Sequence, residues 1–292
     1  MLLNTPIIAM TDEAFRQIRD LVYQFSGLHF NPEAKFQLER RLAKRLQTLQ
    51  LKSYKDYYLY LRYDKNKDRE LAEAINVLTT NETYFFREDF QLKTFTQEIL
   101  PEIWARKEKT GDKQIRIWSA GCSSGEEPYT IAMLMLDQPR FKDWQIEIIG
   151  TDISQRVLQI ARKGIYGENS FRTTPPSYRR RYFVETEGAY RISDQVRDLV
   201  NISYLNLFDF PRVTLLGKMD VIFCRNVIIY FDTAAKRKVV DSFYQRLRPE
   251  GFLLLGHSES LVNLTTAFEL RHFRHDMVYL RPSLSSALEE KG

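Results

Sequence analysis

Apolar positions recur at helical spacing along the first part of the chain and then shift to short β-rich runs. Phe15, Ile18, Val22 and Phe25 share one helical face, with Thr11 placed to cap its start and Gly27 to end it. Asn31-Pro32 supplies an N-cap followed by proline at the first helical position. The helix it opens has Phe36, Leu42, Leu46 and Leu49 as apolar residues. Its other face is basic, with Lys35, Arg40, Arg41, Lys44 and Arg45. Helical patterns also run from Ser53 to Tyr63 and from Asp68 to Leu78. Asn81-Glu-Thr-Tyr-Phe-Phe-Arg-Glu88 breaks the pattern, and a helix from about Glu88 to Lys107 follows, kinked at Pro101.

Beyond that helix, Ile115–Ser119, Ile146–Gly150, Ile202–Asn206, Val221–Cys224 and Phe252–Leu255 alternate with helical stretches. This is the texture of a parallel sheet covered by helices on both faces. Phe268–Phe273 and Asp276–Leu280 read as a hairpin added at the sheet edge. Between the second and third core strands, an insert of about Tyr166–Val200 holds Pro175-Pro176, Arg179-Arg180-Arg181 and a turn at Glu187-Gly188. Connections this long carry function or a subdomain. The expected organisation is a helical domain over 1–80, a linker and helix over 81–110, an α/β domain over 111–282 with its insert at about 170–200, and a polar tail over 283–292.

Composition changes this picture little. Of 292 residues, 43% are hydrophobic and 28% charged, as in ordinary globular chains. No stretch approaches the ~20 apolar residues that span a bilayer, and Met1-Leu2-Leu3 lacks the basic region of an export signal. A cytoplasmic protein without membrane insertion is therefore expected. Cys122 and Cys224 cannot build a disulfide framework and read as free thiols, and the four histidines show no metal spacing. A net charge of +5 is a mild excess that suits nucleic acid, acidic lipid or an acidic protein surface, so its concentration on the second helix and at Arg179–Arg181 matters more than its sum.

In an open α/β sheet, ligands bind beyond the carboxyl ends of the strands. After the first strand, Trp118-Ser-Ala-Gly-Cys-Ser-Ser-Gly-Glu-Glu-Pro128 is a glycine-bearing turn and a helix start, with Gly121 as the backbone contact for a nucleoside. The G-x-G-x-x-G spacing of dinucleotide sites is absent. Glu126 and Glu127 suit the helix dipole and repel phosphate, which favours a cationic, phosphate-free nucleoside such as S-adenosylmethionine; both also serve as plain first-turn acids. The second strand ends in Gly150-Thr-Asp152, a carboxylate placed for ribose hydroxyls, with helix capping by Asp152 or Ser154 as the alternative. The fourth runs into Arg225 and Asn226 at the cleft and Tyr230 a few residues on, where an interface tyrosine with a wet hydroxyl is the plainer reading. Ser258 in Gly256-His-Ser-Glu-Ser260 fails the G-x-S-x-G pattern of a nucleophile.

Four motifs in order, Asn81-Glu-Thr-Tyr-Phe-Phe-Arg87, Trp118-Ser-Ala-Gly-Cys-Ser-Ser-Gly-Glu-Glu-Pro-Tyr129, Phe223-Cys-Arg-Asn-Val-Ile-Ile-Tyr-Phe231 and Gly256-His-Ser-Glu-Ser260, resemble the CheR chemotaxis methyltransferases over nearly the whole chain. The resemblance implies an α/β fold: a Rossmann-like S-adenosylmethionine-dependent methyltransferase sheet with an inserted small antiparallel β-subdomain, preceded by an all-α N-terminal domain. It implies cofactor contacts from Asn81, Thr83, Arg87, Gly121, Glu126, Glu127, Asp152, Asn206, Leu207, Arg225 and Asn226, and no metal. The implied activity is methyl transfer to glutamates of chemoreceptors, giving methyl esters and S-adenosylhomocysteine. Lys35, Arg40, Arg41, Lys44 and Arg45 would face the receptor's cytoplasmic helices. Tyr230 and Arg87 are the expected catalytic pair, Tyr230 orienting the acceptor carboxylate and Arg87 helping to close the site. In some members the insert docks a peptide from the receptor C-terminus. The hairpin between Tyr182-Phe183 and Tyr190 is shorter than in those members, which argues against such docking here.

The chemistry agrees with that assignment. A glutamate carboxylate, with a reference pKa near ~4.3, is already a nucleophile at neutral pH, so no acid–base dyad is needed. Catalysis then rests on holding a desolvated oxygen and methyl group ~3–3.5 Å apart. A monomer without nucleic-acid partners is expected. Two other readings compete: a non-catalytic module that senses the cofactor or scaffolds receptors, and a nucleic-acid methyltransferase, for which the Asn226 loop lacks the prolines of an Asn-Pro-Pro-Tyr site.

Overall fold

The computed structural model describes residues 8–283; the start Met1-Leu2-Leu3 and, Ser283 apart, the expected polar tail lie outside the described residues. The chain divides into two units. One ends at Thr80 and takes in Tyr230–Asp232, and the other begins at Asn81.

In the first unit, α1 (Asp12–Ser26) starts where the Thr11 hydroxyl accepts from the Ala14 amide at 3.2 Å. It stops where Gly27 enters the left-handed region at φ 74°. Asn31 does cap, but what it caps is a 3₁₀ turn, Pro32–Ala34, which runs on into α2 (Lys35–Thr48). The buried stripe of α2 is Leu38, Leu42 and Leu46, spaced by four. Phe36 falls two residues off that stripe and is 69% exposed. The helices α3 (Tyr54–Tyr63), capped by Ser53, and α4 (Lys67–Leu78) complete the helical set. Glu70 of α4 is buried; it accepts from the Arg45 guanidinium at 2.9 and 2.6 Å and from the Tyr57 hydroxyl at 2.8 Å, joining three helices. Leu28 bridges Phe231, and the Tyr230 carbonyl accepts from the His29 amide at 2.9 Å, which places 230–232 with this unit.

The second unit opens with segment 81–88, then α5 (Asp89–Thr94) and α6 (Leu100–Glu108). The single kinked helix expected here is split by a π turn at Phe95–Ile99. Pro101 has no N–H for the Gln97 carbonyl, and the wider turn absorbs the missing bond. The strands are β1 (Gln114–Ala120), β2 (Gln145–Asp152), β3 (Ile165–Tyr166), β4 (Phe183–Thr186), β5 (Ala189–Ile192), β6 (Val200–Tyr204), β7 (Met219–Cys224), β8 (Leu247–Leu255), β9 (Glu269–His272) and β10 (Met277–Leu280). The remaining helices are α7 (Glu126–Leu136), α8 (Gln155–Lys163), α9 (Pro176–Tyr182), α10 (Asp194–Arg197), α11 (Phe210–Leu215) and α12 (Thr233–Arg246).

The main sheet has the order β6-β2-β1-β7-β8-β10-β9. Its first five members are parallel, and the C-terminal hairpin adds antiparallel at the edge. Every residue of β7 is buried, the pattern of a strand covered on both faces. The third core strand starts at Val200 and stops at Tyr204, two residues earlier than the apolar run suggests. Its ladder with β2 ends at the pair Asp152–Tyr204, leaving Asn206 in the loop. Within the insert, β3, β5 and β4 form a separate antiparallel sheet. Its hairpin closes through Glu187 and Gly188 at φ 48° and 78°, the mirror-image turn that matches strand twist.

Segment 81–88 is anchored to this insert. The Phe85 ring lies 4.8, 5.2 and 5.0 Å from those of Tyr166, Phe171 and Phe183, and the Phe85 amide donates to the Ser170 carbonyl at 2.9 Å. Among the described residues, no helix is long and apolar enough to cross a membrane, and no group of three or more His, Cys, Asp and Glu could hold a metal.

Replacing Arg45 with alanine leaves the buried Glu70 carboxylate without its counter-charge. Unfolding free energy from denaturant titration should fall by about 3 kcal/mol, the lower end for orphaning one partner of a buried ion pair; an unchanged midpoint would show the pair to be inert.

Candidate active site

At the carboxyl ends of β1, β2 and β7, three loops are tied together through the backbone. Gly121 and Cys122 both donate to the Thr151 carbonyl at 2.8 Å, folding the first loop over the end of β2. Gly121 stands at φ 85°, and a Cβ there would lie 2.4 Å from a Val227 methyl, so conformation and space both demand glycine. Ser123 donates its amide to Asp152 Oδ2 at 2.9 Å and Ser154 donates to Oδ1 at 2.8 Å, so one carboxylate pins two loops. Asp152 therefore does take an amide at the head of α8, whereas Ser154, the N-cap residue, makes no side-chain cap bond. Burial pushes the Asp152 carboxyl above its ordinary range, against the pull of backbone amides.

The two glutamates that open α7 have different partners. Glu127 accepts from the Ser119 hydroxyl at 2.7 Å and from Arg225 at 3.2 Å. Glu126, 2% exposed, accepts from the Ser124 and Ser170 hydroxyls at 2.7 and 3.0 Å, and so ties the glycine turn to the insert. Burial raises both carboxyls, and Arg225 draws that of Glu127 back down. Arg225, 7% exposed, is the hub. Its Nη1 meets Glu127, and its Nη2 meets Glu88 at 3.1 Å and the Arg87 carbonyl at 2.5 Å.

Gly121, Glu127, Asp152, Arg225 and the Arg87 backbone thus form one cluster. Asn206 and Leu207, both buried, begin the neighbouring loop just after the Leu205 amide donates to the Asp152 carbonyl at 3.1 Å. The Arg87 guanidinium turns back along its own segment, donating to the Glu82 carbonyl at 2.9 Å and lying 5.6 Å from the Tyr84 ring centroid. Asn81 and Thr83 are half-buried in that segment. Tyr230, 37% exposed, belongs to the helical unit.

The sequence reading passes over Glu88 and Glu259. Glu259 lies in Gly256-His-Ser-Glu-Ser260, a motif that draws notice for its serine, yet its carboxylate accepts from the amides of Asn226, Val227, Ile229 and Gly256. An acid among small polar residues directly after an apolar strand is the signal that marks it. The basic face of α2 also differs from expectation. Arg45 is engaged by Glu70, Lys35 by Asp12 at 2.5 Å, and Arg41 by the Leu78 carbonyl and the Thr80 hydroxyl. Arg40 and Lys44 are the exposed members, and no side-chain ion pair or hydrogen bond engages either among the described residues.

A parallel sheet with a glycine turn after its first strand, an acid at the end of its second and no dinucleotide fingerprint defines a Rossmann-like methyltransferase. Residues 81–277 match the CheR methyltransferase, SAM binding domain, and residues 13–79 match the CheR methyltransferase, all-alpha domain. The chain is 40% identical over 287 residues to chemotaxis protein methyltransferase 2 of Vibrio cholerae, with 98% of each chain covered. It is 35% identical to the chemotaxis protein methyltransferase of Salmonella typhimurium and 34% identical to that of Escherichia coli, covering 93% of this chain and 92% of either relative. The chain belongs to the CheR methyltransferase family and is an S-adenosylmethionine-dependent methyltransferase.

The residues present fit such a ligand. Each Asp152 oxygen keeps lone-pair capacity after accepting one amide. Ser123 Oγ, Asn226 Oδ1 and Arg225 Nε are buried without a hydrogen-bond partner among the described residues. The glutamates at the head of α7 offer negative charge to a cation. Because burial raises Asp152 and Glu127, these carboxylates take up protons at higher pH than in the unfolded chain. Affinity for S-adenosylmethionine should therefore begin to fall, as pH is lowered, already above the ordinary carboxylate value of ~4. Titration calorimetry at stepped pH checks this; a decline confined to pH below ~4 contradicts it.

Proposed function

We propose that the protein transfers a methyl group from S-adenosylmethionine to glutamate side chains on the cytoplasmic helices of chemoreceptors, giving glutamate methyl esters and S-adenosylhomocysteine in chemotaxis adaptation. The observation that carries this reading is the cluster of Gly121, Asp152, Glu127 and Arg225 at the strand ends, rich in positioning contacts and without a nucleophile–base pair. The name of the relatives, chemotaxis protein methyltransferase, supports a receptor as acceptor. The working form is a cytoplasmic monomer.

When bound, S-adenosylmethionine supplies an electrophilic methyl group on a sulfonium centre. The chain's own residues bind, orient and dry the site. Asp152 accepts the ribose hydroxyls, Asn206 and Leu207 flank the nucleoside, and Glu127, Arg225 and Asn226 line the remaining side. Asn81, Thr83 and Arg87 cover it from segment 81–88. Glu126 acts at one remove, holding the turn through Ser124 and Ser170. The acceptor glutamate arrives ionised and needs no base. Tyr230 orients its carboxylate and Arg87 helps to exclude water.

Arg40 and Lys44 are the receptor-facing charges in this reading, because Lys35, Arg41 and Arg45 are held within the helical unit. Reversing both to glutamate should raise KM for a receptor fragment several-fold, each exposed charge contributing ~0.5–1 kcal/mol, and leave cofactor affinity unchanged. Unaltered receptor kinetics would place the receptor elsewhere.

The primary test is calorimetric titration with S-adenosylmethionine and S-adenosylhomocysteine, followed by transfer of labelled methyl to a receptor fragment. Base-labile label released as methanol identifies a carboxyl ester. Asp152→Ala should weaken binding of both ligands at least ~10-fold, the loss of more than one charge-assisted hydrogen bond. Tyr230→Phe should lower kcat at least ~10-fold while sparing that binding. Full activity in Tyr230→Phe removes the tyrosine from the mechanism; no ligand binding by the unmodified protein leaves a scaffold.

A further inference from the structure

The loop after β7 carries Arg225 and Asn226 and ends at Tyr230. Its own backbone supplies one 3₁₀ turn, Ile228–Tyr230. Asn226 stands in the left-handed region at φ 59°, and residues 226–229 lie past the last β7–β8 pair, Cys224–Leu255, so they have no ladder partner. One side chain replaces the missing strand. Glu259 accepts from Asn226 and Gly256 on Oε2, both at 2.7 Å, and from Val227 and Ile229 on Oε1 at 2.9 and 3.1 Å.

A carboxylate offers about four lone-pair sites, and four amides fill them. The groups acting on it are burial, which raises its carboxyl, and these amides, which lower it. With its acceptor capacity taken up, Glu259 is suited neither to proton transfer nor to direct ligand contact. Gly256 completes the arrangement: a Cβ there would lie 2.8 Å from both the Asn226 nitrogen and Glu259 Oε2. Position 256 therefore excludes a side chain, and position 259 requires an acceptor on both branches.

We infer that Glu259 is a positioning residue for methyl transfer: it fixes the main chain of 226–229, so that Arg225 and Asn226 are presented to the cofactor and Tyr230 to the acceptor. The inference rests on the site reading given above.

In full-length Glu259→Gln, a donor replaces one acceptor oxygen and faces two N–H groups. Hydrogen–deuterium exchange in peptides covering 225–230 should quicken at least about tenfold, while exchange in β1 and β2 stays unchanged. Affinity for S-adenosylhomocysteine should fall about tenfold, and kcat should fall further with KM for a receptor fragment unaltered. Gly256→Ala keeps the carboxylate and crowds its contact with Asn226; it should reproduce the exchange pattern with smaller losses, and it carries the test alone if Glu259→Gln does not fold. Wild-type exchange at 225–230 in the folded variants overturns the inference, as does quickened exchange with unchanged affinity and kcat. Failure of the unmodified protein to bind S-adenosylhomocysteine overturns the site reading instead, while exchange at 225–230 still decides whether Glu259 holds the loop.

Discussion

A guanidinium as deeply buried as that of Arg225 must find its counter-charges inside the fold, and much of the strand-end geometry follows from where it finds them. Glu127 comes from the start of α7, Glu88 and the Arg87 carbonyl from segment 81–88, and Arg225 itself from the end of β7. Three stretches far apart in sequence are thereby fixed on one planar ion. Deleting Arg225 would leave the Glu127 carboxylate without its counter-charge, at a cost of about 3–5 kcal/mol. Site geometry and local stability are coupled for that reason, and a substitution at Glu127 acts on both.

The carboxylates around this hub are held mainly by hydroxyls and amides. Asp152, Glu126, Glu127 and Glu259 are all raised by burial, and Glu127 alone is drawn down by a facing guanidinium. For an acid raised in the folded state, the contribution to stability is fully present below the unfolded value and is lost as pH rises through the folded value. At neutral pH these groups oppose folding, and the surrounding core offsets them, with Trp118, Phe223, Phe252 and Phe95 fully buried. Perturbed acids concentrated at one end of a sheet mark where function has overridden stability.

What the sequence made legible depended on local physics. The cap at Thr11, the stop at Gly27 and the turn at Glu187-Gly188 each rest on a few adjacent residues, and each appears where it was expected. The strands were legible from apolar runs, and Gly121, Asp152 and Arg225 from their place after those runs. Long-range partners were not. Nothing near Phe36 says that Leu38 takes the core position, and the start of β6 is set by its register on β2. Arg45 looks like its exposed neighbour Lys44 until Glu70, twenty-five residues away, is brought beside it. The Glu259 carboxylate was hidden for the same reason, since three of its four partners lie some thirty residues earlier in the chain.

The insert is not a removable ornament. Phe85, at the entrance to the α/β unit, is packed among Tyr166, Phe171 and Phe183, and Ser170 and Thr173 hydrogen-bond its backbone. The insert is therefore not a freely interchangeable part of this fold. A graft of another member's insert that omits these aromatic and hydroxyl partners would unseat the segment carrying Arg87 and Glu88. These contacts hold the inner side of the insert, whereas on the outer hairpin Val184 and Glu185 meet solvent and carry no such duty.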